Sequence, residues 1–177
     1  MKAPEQIETE RLLLRRPAVA DAAAIFNGYA QDSEVTRYLI WRPHNNIQET
    51  EAFLADCAAA WADNFRFPYV ITLKESGAVI GMIEIRVHEF KADVGYVISR
   101  ENWGRGIATE ALRSLVDWAL AQDSIYRVWA VCDLENPASA RVLEKVGMKY
   151  EGVLRRHTIH PNVSDLPRDN YCYAVVK

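Results

Sequence analysis

Trp103-Gly104-Arg105-Gly106-Ile107-Ala108-Thr109-Glu110-Ala111 is the stretch on which the reading of this chain turns. Two glycines one residue apart follow the strand-like run Val94-Gly95-Tyr96-Val97-Ile98, and an amphipathic helix follows them at once. A strand that passes through small residues into a helix start presents a row of backbone N–H groups with no intrahelical partner, and the helix dipole adds partial positive charge there. Such a corner binds phosphate, and glycine lets the phosphate come close to the backbone. The helix rests on Ile107, Ala108, Ala111, Leu112, Leu115, Val116, Ala119 and Leu120, which recur at helical spacing on one face. Taken alone, the segment also fits a plain strand–turn–helix corner whose glycines only relieve packing.

The rest of the composition narrows the class. At 177 residues the chain is expected to form a single domain, 1–177, with a substantial core. A formal net charge of −3 gives no broad basic surface, so no nucleic-acid partner is expected. No apolar run approaches membrane-spanning length and the N-terminus has no secretory pattern, so neither a membrane partner nor export is expected, and the location is read as cytoplasmic. Cys57, Cys132 and Cys172 lie far apart, and the last two sit in apolar strand-like runs. They read as buried small hydrophobes, and no metal site is expected.

Along the chain, Leu12–Leu14 reads as a first strand stopped by Pro17, and Asp21–Tyr29 as an alanine-rich helix. A further helical turn is placed in Val35–Ile40. Asn46 is the N-cap of a helical stretch over Ile47–Asn64. Pro68 marks a change to strands: Tyr69–Leu73, a turn at Glu75-Ser76-Gly77, then Val79–Val87 and Val94–Ile98. The glycine-corner helix runs to about Gln122. Strand Tyr126–Val131, helix Pro137–Val146 capped by Gly147, strand character from Met148 and a last strand Tyr171–Val176 complete an α/β chain.

A second motif, Asn136-Pro137-Ala138-Ser139-Ala140-Arg141-Val142-Leu143-Glu144-Lys145-Val146-Gly147-Met148, starts with a capping asparagine and a proline suited to the first helical position. With the glycine corner, and with Glu8-Thr9-Glu10-Arg11-Leu12-Leu13-Leu14-Arg15 and Tyr150-Glu151-Gly152-Val153-Leu154-Arg155, it resembles the GNAT family of acetyl-coenzyme A-dependent N-acetyltransferases. The branch it looks most like holds the ribosomal-protein alanine and serine N-terminal acetyltransferases. The resemblance implies a mixed, mostly antiparallel central sheet flanked by helices and splayed at the acetyl-coenzyme A site. It implies acetyl transfer from acetyl-coenzyme A, a small-molecule acyl donor, to a primary amine, on a protein N-terminus or a small molecule. The other reading is a non-catalytic acyl-coenzyme A-binding module of the same fold. A monomer or homodimer is expected.

By the same resemblance, the amides of Gly104, Arg105, Gly106, Ile107, Ala108 and Thr109 hold the pyrophosphate. Val97 and Ile98 flank the pantetheine arm, with the Ile98 amide donating to the thioester carbonyl. Asn136 contacts the arm and Ser139 lies near its sulfur. Many members carry a tyrosine that protonates the leaving thiolate, and the matching position here is Leu143. Ser139 is then the side chain left for that work.

An attacking ammonium must first lose a proton, and Glu84 is the leading general base. If the hairpin pairs Val87 with Ala92, Arg86 faces Asp93 and Glu84 faces Gly95, which leaves room for an amine beside the carboxylate. Pairing of Glu84 with a neighbouring arginine is the competing reading. Asp93, Glu151, His157 and His160 are weaker bases. Trp41 lies where this family builds its acceptor wall, and it fits either that wall or the core.

Overall fold

The computed structural model describes residues 2–177. Eight strands form one sheet in the order β1-β2-β3-β4-β5-β6-β8-β7. They are β1 (Gln6–Glu8), β2 (Leu12–Arg15), β3 (Arg66–Leu73), β4 (Val79–His88), β5 (Lys91–Ile98), β6 (Arg127–Asp133), β7 (Lys149–Thr158) and β8 (Arg168–Val176). Only β5 and β6 run parallel; every other neighbouring pair is antiparallel. The helices are α1 (Ala22–Ile25), α2 (Ser33–Thr36), α3 (Ile47–Ala60), α4 (Ile107–Leu120) and α5 (Pro137–Lys145). This is the mixed, mostly antiparallel α/β sheet with flanking helices that the resemblance implied.

Alternation along the strands divides the core between the two faces of the sheet. Leu14, Ile71, Ile83, Ile85, Val94 and Ile98 meet Leu112, Leu115 and Val116 of α4 and Leu143 of α5 on one face. Val70 and Met82 meet Ile25 of α1, Tyr29 and Leu54 and Cys57 of α3 on the other. All three cysteines are buried and unpaired with one another. Among the described residues, no helix is long and apolar enough to cross a membrane.

Several elements differ from expectation. Strand β1 carries a polar, mostly exposed sequence with no apolar alternation, so nothing in its pattern announced it. The helix expected over Asp21–Tyr29 is a 3₁₀ turn at Val19–Asp21, the single turn α1 and a π-helical turn at Phe26–Ala30. Strand β3 starts at Arg66 and passes through Pro68. That proline is tolerated because β2 pairs only with Val70–Leu73, leaving the edge beside Pro68 without a ladder that needs its N–H.

The hairpin register places the site. Strands β4 and β5 pair Val87 with Ala92, Arg86 with Asp93 and Glu84 with Gly95, as the alternation required. Gly81 lies opposite Ile98 at the other end of that hairpin. A Cβ there would come 2.3 Å from the Val97 carbonyl oxygen, so the close approach of the two strands requires glycine.

Candidate acetyl-transfer site

The parallel pairing of β5 with β6 covers only Lys91–Arg127, Ala92–Val128 and Asp93–Trp129, and then stops. Beyond it β5 continues to Ile98, paired with β4, and β6 to Asp133, paired with β8, but the two no longer pair with each other. The sheet is therefore splayed along the second half of β5. In an antiparallel ladder alternate residues turn both backbone groups toward one partner. Ser99 N–H bonds Ile80 O at 2.8 Å, which sets the phase. Val97 then spends its backbone groups on β4, whereas Tyr96 and Ile98 turn theirs to the splay. Val97 also packs its side chain against the α1–α3 core. Of the two residues expected beside the arm, Ile98 alone offers the splay a backbone edge.

Both flanking helices begin at the splayed end. Strand β5 leads through a 3₁₀ turn, Arg100–Asn102, into the glycine corner and α4. Strand β6 leads through Leu134–Asn136 into α5. Two helix N-termini, each with positive dipole ends and free N–H groups, thus stand at the C-terminal ends of the two parallel strands. Gly104 and Gly106 have φ of 72° and 78°, a left-handed backbone that glycine adopts without strain. Gly106 is the N-cap residue of α4, and its carbonyl accepts from Glu110 N–H at 3.0 Å. The N–H groups of Ile107, Ala108 and Thr109 have no intrahelical acceptor, so the corner has the chemistry of an anion cradle.

The corner is braced from three sides. Arg11 donates to Glu110 at 2.7 Å and to the Arg105 carbonyl at 3.0 Å. Arg105 donates to Asn102 at 2.9 Å. The Trp103 indole N–H donates to the Ile98 carbonyl at 2.8 Å, tying the exposed ring back onto the end of β5.

At α5, the Asn136 side chain accepts from Ser139 N–H at 3.1 Å, so it caps the helix and fixes the backbone of Ser139. The Ser139 hydroxyl lies 3.0 Å from the Tyr96 hydroxyl, a bond from α5 to β5 across the splay. Burial pushes the Tyr96 phenol up to about 12, and the bond to Ser139 only partly offsets this. Burial and the neighbouring Asp133 charge push the Cys132 thiol up to about 11. Both groups keep their protons near neutral pH. Leu143 is fully buried in the main core.

Glu84 is placed opposite Gly95, on the face covered by α1–α3. Its carboxylate has no free oxygen: Arg66 Nε donates to one at 2.6 Å and Arg86 to the other at 2.7 Å. Arg66 also holds Asp56 at 2.6 Å, and Arg86 holds Asp93. Both oxygens are therefore occupied by guanidinium donors rather than turned toward the splay. Sequence reasoning weighed a neighbouring arginine. It had no signal for Arg66, which lies on another strand.

The weaker candidates fall away from the splay or into structure. Glu151 on β7 accepts from Arg127 at 2.7 Å. His157 is exposed. His160 is buried, its Nε2 3.1 Å from the Asn170 side chain, and burial holds its pKa below the usual imidazole value. Trp41 is half-buried, packs against the α1–α3 core and lies 5.1 Å from the His44 ring.

What sequence reading missed is a tie from late in the chain to the Trp41 segment. Asn162, in the β7–β8 loop, donates to the Thr36 and Trp41 carbonyls at 2.7 and 2.8 Å. The Tyr38 hydroxyl donates to the Glu135 carbonyl at 2.9 Å. Among the described residues no group of three or more His, Cys, Asp or Glu side chains is placed to hold a metal ion.

A splayed mixed sheet with two helix starts at its open end is the architecture of an acyl-coenzyme A transferase. The family model for the acetyltransferase (GNAT) domain matches residues 11–149, and the chain belongs to that family. The uncharacterized N-acetyltransferase YoaA of Bacillus subtilis (strain 168) is 32% identical over 174 residues, 97% of this chain and 96% of that protein. A GNAT-family acetyltransferase from Bacillus anthracis superposes with a TM-score of 0.84 at 26% identity, covering 97% of this chain and 98% of that one. Mycobacterium smegmatis RimJ, solved in complex with CoA-disulfide, gives 0.82 at 25% identity over 93% of this chain and 81% of its own.

Proposed function

We propose that this chain transfers an acetyl group from acetyl-coenzyme A to a primary amine, the acceptor being a protein N-terminus or a small-molecule amine. The observation that carries this reading is the parting of β5 from β6 after the Asp93–Trp129 pair, with the free edge of Tyr96 and Ile98 and two helix N-termini at the same end. The coenzyme A species held by the RimJ relative supports the donor.

The geometry supports the following roles. The amides from Gly104 to Thr109 bind the pyrophosphate, and the edge of Ile98 pairs with the pantetheine arm. The Ile98 amide, aimed into the splay, stabilises charge developing on the thioester oxygen. Asn136 holds the start of α5, and the Ser139 hydroxyl meets the departing sulfur. The thioester supplies the activated acetyl group, so the protein has only to orient the amine, receive its proton and stabilise the two developing charges. Because both Glu84 oxygens are engaged, we assign the amine's proton to water reaching the open splay. Glu84 is assigned the task of holding Arg66 and Arg86. The reaction is placed in the cytoplasm, in a single domain spanning the chain.

The test is release of free thiol from acetyl-coenzyme A in the presence of peptides with free N-termini and of small primary amines. Acceptor-dependent release, with acetylated product seen by mass spectrometry, is the expected result. Binding of coenzyme A with no release across the panel would establish the non-catalytic module instead.

A further inference from the structure

Helix α5 brings no phenol to the splay, because Leu143 is fully buried and apolar. A phenol is nevertheless present, from the other side. Tyr96 stands on β5 beyond the last residue that pairs with β6, and its hydroxyl reaches Ser139 on α5 at 3.0 Å. We propose that Tyr96 is a positioning residue for acetyl transfer: its phenol O–H donates to the Ser139 oxygen and leaves the Ser139 O–H pointing at the sulfur that departs from the donor. The inference rests on the acetyl-transfer reading given above.

The direction of the bond follows from chemistry. A phenol ordinarily titrates at about 10 and is protonated at neutral pH, and burial only raises it further, so it has a hydrogen to give. A phenol is a stronger acid than an aliphatic alcohol and the better donor of the two. Serine has one hydrogen and two lone pairs. Once its oxygen accepts from Tyr96, its own hydrogen is left for a sulfur acceptor: it lies beside the Cys132 thiol, and the departing donor sulfur would compete for it. The donated bond also polarises the serine O–H, because hydrogen bonds in a chain strengthen one another at low local dielectric. The rest of Ser139 is already fixed, since its N–H is held by Asn136 at 3.1 Å. Tyr96 removes the remaining freedom, rotation of the side chain. In the reaction the amine nitrogen bonds the acetyl carbon and gives its proton to water, while the acetyl C–S bond breaks and its electron pair goes to sulfur. The Ser139 O–H stabilises that charge, and Tyr96 keeps its proton throughout.

The experiment is a double-mutant cycle on the full-length protein with one productive amine. Wild type, Tyr96→Phe, Ser139→Ala and the double variant are compared for kcat, for KM toward acetyl-coenzyme A, and for coenzyme A affinity. Removing one neutral hydrogen bond predicts a kcat for Tyr96→Phe lower by roughly two- to tenfold. KM and coenzyme A affinity stay at wild-type values, and the substitution has no further effect in the Ser139→Ala background. Ser139→Thr, which keeps an acceptor hydroxyl, stays sensitive to Tyr96→Phe.

A wild-type kcat in Tyr96→Phe, or an equal loss in both backgrounds, overturns the proposal. A readout that needs no change at Tyr96 uses protein with carbon-13-labelled tyrosine rings near neutral pH. Ser139→Ala should move one tyrosine signal, and no movement overturns the pairing. If wild type itself releases no thiol with any amine, the acetyl-transfer reading falls. If it turns over, the cycle judges Tyr96 alone.

Discussion

Gly106→Ala separates the backbone role of the glycine corner from ordinary packing. Gly106 has φ of 78°, and an added Cβ would meet only Arg11 Nη2, at 3.5 Å, an ordinary contact. The substitution therefore causes no clash, and its cost is conformational. Holding an L-residue in the left-handed region costs roughly 1–2 kcal/mol. At about 2–4 °C per kcal/mol for a chain of this size, melting should fall by roughly 2–8 °C. If the chain instead relaxes away from φ of 78°, the amides that follow turn away from the phosphate. Losing one hydrogen bond to a charged group costs about 1.5–3 kcal/mol, so coenzyme A binding weakens by about tenfold or more. Gly77→Ala is the control. Gly77 has φ of 70°, and an added Cβ there meets nothing within 4 Å, but it lies in the β3–β4 turn. Both variants should melt lower, and only Gly106→Ala should bind coenzyme A more weakly, by calorimetry and by ligand-induced thermal shift. Wild-type affinity in Gly106→Ala would refute the anion-cradle reasoning. Equal weakening in both variants would show that lost stability, not the corner, sets affinity.

Other outcomes follow from the same geometry. Glu84→Gln should lower the melting temperature by a few degrees, about 1–2 kcal/mol, since Arg66 and Arg86 lose a charged partner while staying partly exposed. The shape of its pH–rate profile should match wild type; a loss on the order of a hundredfold or more, concentrated at low pH, would make Glu84 the base after all. Gly81→Ala should cost about 1–3 kcal/mol, because its Cβ must displace backbone at Val97 and Ile98, and a wild-type melting curve would contradict that crowding. Asp133 is buried, and burial raises its pKa, but bonds from Arg168 at 2.6 Å and from Glu135 N–H at 2.9 Å outweigh this and hold it below the ordinary value. A depressed carboxylate adds stability above its unfolded pKa of about 3.9, and that stability is lost as pH falls through the folded value. The urea-midpoint gap between wild type and Asp133→Asn should accordingly be wide near neutral pH and narrow in acid; a constant gap would show that the charge does not matter.

How much of this was legible depends on how local each signal is. The glycine corner, the Asn136 cap and the β4–β5 register were readable because each is set by residues close together in sequence. A short turn at His88–Lys91 with clean alternation on both sides leaves one phase for the hairpin. The contacts that decide the chemistry are not local. Arg66 reaches Glu84 from 18 residues away, and Tyr96 reaches Ser139 from 43. No periodicity in either segment encodes its partner. The first helical stretch broke into 3₁₀, α and π turns because its alanines suit any helical turn, so composition alone could not select among them. Trp41 was ambiguous for a related reason: an aromatic at a loop suits a wall or a core equally until the fold brings α3 beside it.

The three-pair seam between β5 and β6 gives the sheet a mechanical character. Where a continuous ladder would lock the two halves along their whole length, here the pairing of Lys91–Asp93 with Arg127–Trp129 and the Tyr126 N–H bond to the Phe90 carbonyl at 2.8 Å do so at one end, and the open jaw lies beyond them. Any change in the width of that jaw is geared about one end, so a small rotation at the seam becomes a larger displacement between Ile98 and the start of α5. On the proposed reading, a donor arm laid along Ile98 would take the place of the absent strand and splint the jaw at one width. The same molecule that brings the acetyl group would then complete the sheet across which it is transferred.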